Sequence, residues 1–163
     1  FNAALPIYAP TGDYDADRLA NPGLNHWSFN PTIGVAYANE QTGFNFTAHT
    51  GVMFNTENAD THYRNGTMYH LDISAQQMLP LGPGFLGIGL EAFYLRQVSG
   101  DSGSCATLGD FKGRTYGLGP VLSYVLPVDD DSTLVFEARW LAELDTKNRL
   151  QGDFFWLKAV YQF

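Results

Sequence analysis

The sequence predicts an all-β protein, an antiparallel transmembrane β-barrel, on three observations. Apolar and polar residues alternate with period two through eight segments of about 8–14 residues. Such lengths suit tilted membrane-crossing strands and exceed the soluble average of about 5–6. The connections between segments alternate between long and short. The chain also stops on an aromatic at the end of an alternating run, GDFFWLKAVYQF, Gly152 to Phe163.

The segments follow in order. The first, Phe1–Tyr8, carries Phe1, Ala3, Leu5 and Ile7 on one face. The second, His26–Ala38, sets Trp27, Phe29, Pro31, Ile33, Val35 and Tyr37 against His26, Ser28, Asn30, Thr32, Gly34 and Ala36. Gly43–Asn55 sets Phe44, Phe46, Ala48, Thr50, Val52 and Phe54 against Asn45, Thr47, His49, Gly51 and Met53. Thr67–Leu79 sets Tyr69, Leu71, Ile73, Ala75 and Leu79 against His70, Asp72, Ser74 and Gln76. Phe85–Val98 sets Leu86, Ile88, Leu90, Ala92 and Tyr94 against Gly87, Gly89, Glu91 and Phe93.

Arg114–Leu126 sets Tyr116, Leu118, Pro120, Leu122, Tyr124 and Leu126 against Gly117, Gly119, Val121 and Ser123. Thr133–Leu144 sets Leu134, Phe136, Ala138, Trp140 and Ala142 against Glu137, Arg139 and Glu143. The terminal segment sets Phe155, Leu157, Ala159, Tyr161 and Phe163 against Phe154, Trp156, Lys158, Val160 and Gln162. Asn39–Thr42, Pro80–Gly84 and Pro127–Ser132 are tight turns rich in Pro, Gly, Asp and Asn. Pro10–Asn25, Thr56–Gly66, Ser99–Gly113 and Asp145–Gln151 are longer or more polar, the pattern of a barrel with one elaborated rim. With the C-terminus on the periplasmic side, every long loop lies outside and every short turn inside.

Alternation alone does not say which face points outward, and a soluble lipocalin-like barrel would turn the apolar face in. Two features favour lipid outside. Aromatics cluster at the ends of the apolar faces, as interfacial girdles do, among them Trp27, Tyr37, Phe44, Tyr94, Tyr116 and Tyr161. The other face carries Gly, Ser, Asn, Thr and few charges, too sparse in Lys and Glu for a water-bathed exterior. The lumen-lining set is therefore His49, His70, Asp72, Glu91, Glu137, Arg139, Glu143 and Lys158.

Composition narrows the function classes. The 163 residues suffice for one domain, 1–163. Aromatics at 15%, 17 glycines and charged residues at only 16% are strand-and-turn chemistry. Mean hydropathy is −0.16 and no apolar run approaches the roughly 18 residues of a spanning helix. A net charge of −8 with a pI near 4.7 excludes nucleic acid as a partner. The single cysteine, Cys105, cannot form an internal disulfide and reads as a loop thiol. The chain opens on Phe1 without Met or a leader, so the expectation is that a signal peptide has been removed or that an N-terminal part is missing.

Several runs have a familiar look: PTGDYDADRLANPGLNHWSFNPTIGVAY (Pro10–Tyr37), NTENADTHYRNGTMYHLD (Asn55–Asp72), SGDSGSCATLGDFKGRTYGLGPVLSY (Ser99–Tyr124) and NRLQGDFFWLKAVYQF (Asn148–Phe163). They resemble the family of putative MetA-pathway of phenol degradation proteins. The resemblance implies a Gram-negative outer-membrane barrel, found near genes for aromatic catabolism, that passes small and often aromatic compounds. Family members carry further strands before the PTG-type loop. Either this chain is the C-terminal part of a barrel of about twelve strands, or it is a shortened barrel that closes with eight. The terminal strand also resembles the closing strand of bacterial outer-membrane barrels, which the assembly machinery reads. That likeness assigns Phe155, Leu157, Tyr161 and Phe163 to an insertion signal.

Motifs for other chemistry fall short. Gly82-Pro83-Gly84-Phe85-Leu86-Gly87 has dinucleotide-fingerprint spacing, but a turn leads into a strand where the motif needs a helix. Asp13, Asp15 and Asp17 have the spacing of a calcium loop, yet Arg18 and Leu24 stand where its Gly and Glu belong. His49 and His70 lack a third ligand of definite spacing, so no metal and no cofactor are expected. Pairing His70 with Ser74, or His49 with a serine, assisted by Asp72 or Glu91, has no nucleophile elbow behind it, so no catalytic site is expected. The reading is a passive channel for small organic solutes; the alternative is a non-conducting barrel that scaffolds a surface or periplasmic protein partner. Outer-membrane lipid, lipopolysaccharide and the barrel assembly machinery are the other expected partners.

Overall fold

The computed structural model describes residues 1–18, 20–107 and 112–163. The predicted loops Pro10–Asn25 and Ser99–Gly113 therefore fall partly outside the described residues, at 19 and at 108–111. The strands are β1 (Asn2–Ala4), β2 (Ile7–Tyr8), β3 (Ser28–Phe29), β4 (Thr32–Asn39), β5 (Phe44–Asn55), β6 (Met68–Leu81), β7 (Gly84–Gln97), β8 (Arg114–Pro127), β9 (Thr133–Lys147) and β10 (Asp153–Gln162). They form one antiparallel sheet of 10 strands in the order β1-β4-β5-β6-β7-β8-β9-β10, with β3 bridging β2 to β5. No helix is present among the described residues, and β1 and β10 are not paired with each other.

The eight expected segments become ten strands for a reason written in the chain. Phe1–Tyr8 breaks at Pro6 and His26–Ala38 breaks at Pro31, because proline cannot donate to a ladder. Each proline still accepts: Asn30 N–H donates to the Pro6 carbonyl at 2.9 Å, and Val52 N–H to the Pro31 carbonyl at 3.2 Å. β9 also runs on to Lys147, past the expected Leu144, through a bulge. Tyr116 pairs with Asp145 and Gly117 with Glu143, leaving Leu144 as the extra residue.

The hairpins owe their tightness to residues that supply donors, acceptors or left-handed backbone. Asn39 Oδ1 accepts from the Gln41 and Thr42 amides, both at 3.0 Å, and Gly43 completes that turn at φ 72°. Gly82, at φ 59°, lets β6 return directly into β7.

The sheet is strongly curved, with its polar face concave. Phe93 on β7 and Phe154 on β10 are three strand steps apart, about 14 Å on a flat sheet. Their ring centroids lie 6.0 Å apart in a T-shaped contact. Ser123 of β8 likewise donates across β7 to Gln76 Oε1 of β6 at 2.8 Å.

Burial runs opposite to that of a water-soluble fold. Among the described residues, Val121 and Leu141 are the only buried apolar side chains, whereas Asn30, Thr32, Glu91, Thr115, Ser123 and Glu143 are buried polar ones. β8 shows the pattern residue by residue: Thr115, Gly117, Gly119, Val121 and Ser123 are buried, while Tyr116, Leu118, Pro120 and Leu122 are exposed. Phe155 at 68%, Leu157 at 72% and Ile33 at 61% exposure show how fully the convex face is apolar and uncovered.

Candidate functional site

The concave face gathers side chains from five strands into one belt. Ladder register sets it: His49 on β5 lies opposite Asp72 on β6, Asp72 opposite Phe93 on β7, and Phe93 opposite Gly117 on β8. One row along, Ser74 faces Glu91 and Glu91 faces Gly119. Glycine at 119 is required there, since a Cβ would run into the Trp140 carbonyl of β9. That bare stretch of β8 lets Arg139 of β9 reach over it, and its Nη1 donates to Glu91 Oε1 at 2.6 Å.

Arg139 also donates through Nη2 and Nε to Glu137, and Lys158 Nζ of β10 sits 3.4 Å from the same carboxylate. The guanidinium fork thus ties two carboxylates two strands apart, with Glu91 and Glu137 side chains only 8% and 13% exposed. A polar cavity of about 250 Å³ opens beside this cluster, lined by Thr47, His49, Asp72, Glu91, Glu137 and Arg139 among others. Glu143 lies apart from it, near the β9–β10 connection, and accepts from the Gly152 amide at 2.8 Å. His70 meets Asp72 (Nδ1 to Oδ2, 3.6 Å) and Asn30 (Nε2 to Oδ1, 3.1 Å), so Ser74 is not its partner.

Described residues of the long connections are tied together by side-chain hydrogen bonds. Asp101 accepts from the Tyr63 hydroxyl in a short contact, from the Gly66 amide at 2.8 Å and from Gln97 Nε2 at 2.6 Å. Arg64 Nε donates to the Asn55 carbonyl at 2.8 Å, and buried Asn58 donates to the Leu24 carbonyl at 3.2 Å. Buried His26 meets Asn65 Nδ2 at 3.2 Å. The loops leave a second cavity of about 410 Å³, which exposed Cys105 helps to line. Arg18 pairs with Asp13 at 2.8 Å and Asp15 at 3.3 Å, so this acidic run carries its own counter-charge.

Partial burial, reinforced by the Asp101 carboxylate, pushes the Tyr63 hydroxyl up from 10.0 to about 12. The folded value is the higher one, so the contact supports the loop network at all pH below about 10 and is lost as pH rises through about 12. In a spectrophotometric titration, the component that ionises near pH 12 should vanish in Tyr63→Phe. An unchanged curve would mean that Tyr63 is not held by Asp101.

The charges of the concave face were readable as residues but not as a network. Glu91 and Arg139 are 48 positions apart, and only curvature over Gly119 joins them. The loop cluster was missed, although the density of Asn and Asp in Thr56–Gly66 signals side-chain bonds to backbone.

The model of the family described as "Putative MetA-pathway of phenol degradation" matches residues 1–159. No curated protein and no solved structure matches the chain.

Proposed function

We propose a function from the premise that the chain belongs to the Putative MetA-pathway of phenol degradation family: it is a non-enzymatic outer-membrane barrel that passes small organic solutes, aromatic ones included. The observation that carries this reading is the inverted polarity of the sheet. A convex apolar face with aromatics toward its ends suits lipid, and a concave face bearing His49, Asp72, Glu91, Glu137, Arg139, Glu143 and Lys158 suits an aqueous path. The short turns then face the periplasm and the tied long loops face the lipopolysaccharide side. Phe155, Leu157, Tyr161 and Phe163 of the uncovered final strand serve the assembly machinery, on the likeness to other closing strands.

One observation favours a second reading, a non-conducting barrel that scaffolds a protein partner. The Arg139 clamp and the Phe93–Phe154 contact put packed side chains where a conduit would run.

Reversal potential in a planar bilayer under a salt gradient tests both. Four acids against two bases on the concave face favour cations and neutral solutes over anions. Glu91 and Glu137 already hold Arg139, so Asp72→Asn should reduce cation preference more than Glu137→Gln does. The difference should fade as salt rises toward 0.15 M, where the screening length is ~8 Å. Anion preference, or no conductance from full-length protein, would move the reading to the scaffold.

A further inference from the structure

The fold supplies what two histidines lacked in the sequence, a third ligand. His49, Asp72 and His70 come together because the β5–β6 register sets His49 opposite Asp72 and Gly51 opposite His70. One ligand atom from each of the three lies within 4.8 Å of the other two. The imidazoles sit with centroids 5.5 Å apart, and His70 Nδ1 is 3.6 Å from Asp72 Oδ2. In a tetrahedral site with metal–ligand bonds of about 2.0–2.1 Å, ligand atoms stand roughly 3.3 Å apart. Small side-chain rotations close that difference, with both backbones held by one ladder.

Two further features prepare His70 for a metal. Asn30 is buried, and its carboxamide oxygen can only accept, so His70 Nε2 carries the hydrogen at 3.1 Å. That leaves Nδ1 as the ring nitrogen facing Asp72, the outer-shell arrangement of ligating histidines. The ring also lies over Gly51, where a Cβ would come within 2.6 Å of Nε2. Arg139, which lines the same cavity as Asp72, is engaged by Glu91 and Glu137 instead.

We infer that His49, His70 and Asp72 form a binding site for a divalent transition-metal ion of the Zn²⁺ class on the concave wall. Two imidazoles and one carboxylate select zinc or copper over the all-oxygen preferences of calcium and magnesium. Three protein ligands leave a fourth position open to water in the adjoining cavity. This site does not depend on whether the barrel conducts.

The test is calorimetric titration of the full chain, folded in detergent, with Zn²⁺, joined by electron paramagnetic resonance of the Cu²⁺-loaded protein. One ion per chain should bind, and the copper spectrum should show two nitrogen ligands. His49→Ala and Asp72→Asn should each weaken Zn²⁺ binding by at least about 100-fold, and Asn30→Ala by about 10–100-fold. His62→Gln, which alters an exposed His–Glu pair on the loops, should leave affinity within about twofold. Each variant is checked for its heat-modifiable shift on electrophoresis, with His49→Gln replacing any alanine variant that fails to fold. Absence of Zn²⁺ binding by folded wild type would overturn the inference. So would binding that survives His49→Gln and Asp72→Asn together, or that is lost in His62→Gln.

Discussion

Arginine at Leu122 is expected to cost the folded protein about 2–4 kcal/mol, read as a drop in the denaturation midpoint in lipid or detergent. Leu122 stands near the middle of β8, between Ile88 and Ala138, on the convex face and 48% exposed. In water such a site would accept arginine at almost no cost, since surface substitutions fall within about 0.5 kcal/mol. In hydrocarbon the guanidinium must shed water or drag it in. The experiment therefore reports the solvent that the convex face meets. Thr47→Arg is the matched control, because Thr47 is exposed on the concave face beside the polar cavity and should lose less than about 1 kcal/mol. Gly119 is unsuitable as a control, since the Trp140 carbonyl occupies the space any side chain would need. A harmless Leu122→Arg with a ruinous Thr47→Arg would invert the assignment of faces and overturn the proposal that the convex face meets lipid.

How far the chain could be read depended on whether the signal was local. Period two in Arg114–Leu126 was enough to place Tyr116 to Ser123 of β8 on their two faces, because strand alternation is a property of consecutive residues. The interruptions at Pro6 and Pro31 were equally local, but both prolines sat inside runs whose apolar face continued past them. The bulge at Leu144 had no such mark: it arises from how Tyr116 and Gly117 meet β9, which only pairing decides. The candidate metal ligands failed for the same reason. His49 and Asp72 are known to be opposite only once the register across the long Thr56–Gly66 connection is fixed. The Glu91–Arg139 contact needs curvature and a glycine on the strand between, neither of which alternation encodes.

Removing the charge at the centre of that contact is the second large effect. Arg139→Leu leaves Glu91 and Glu137 without the fork that joins them, both in little-exposed surroundings and near Asp72. Breaking a buried pair by deleting one partner costs about 3–5 kcal/mol, most of it the penalty of the stranded charge. Here the lower end is expected, since Lys158 stays 3.4 Å from Glu137 and is half exposed on the concave side. Arg139→Lys should fall between, because an ammonium keeps the charge but cannot span two carboxylates with one planar group. The double variant Glu91→Gln/Arg139→Leu should recover part of the loss, with a coupling energy of about 0.5–3 kcal/mol between the two positions. The size of that coupling bears on function as well as stability. A large value means a dry, packed belt at Gly119, and the scaffold reading gains. A loss within about 0.5 kcal/mol for Arg139→Leu means that water already screens these charges, as it must if solutes pass beside them.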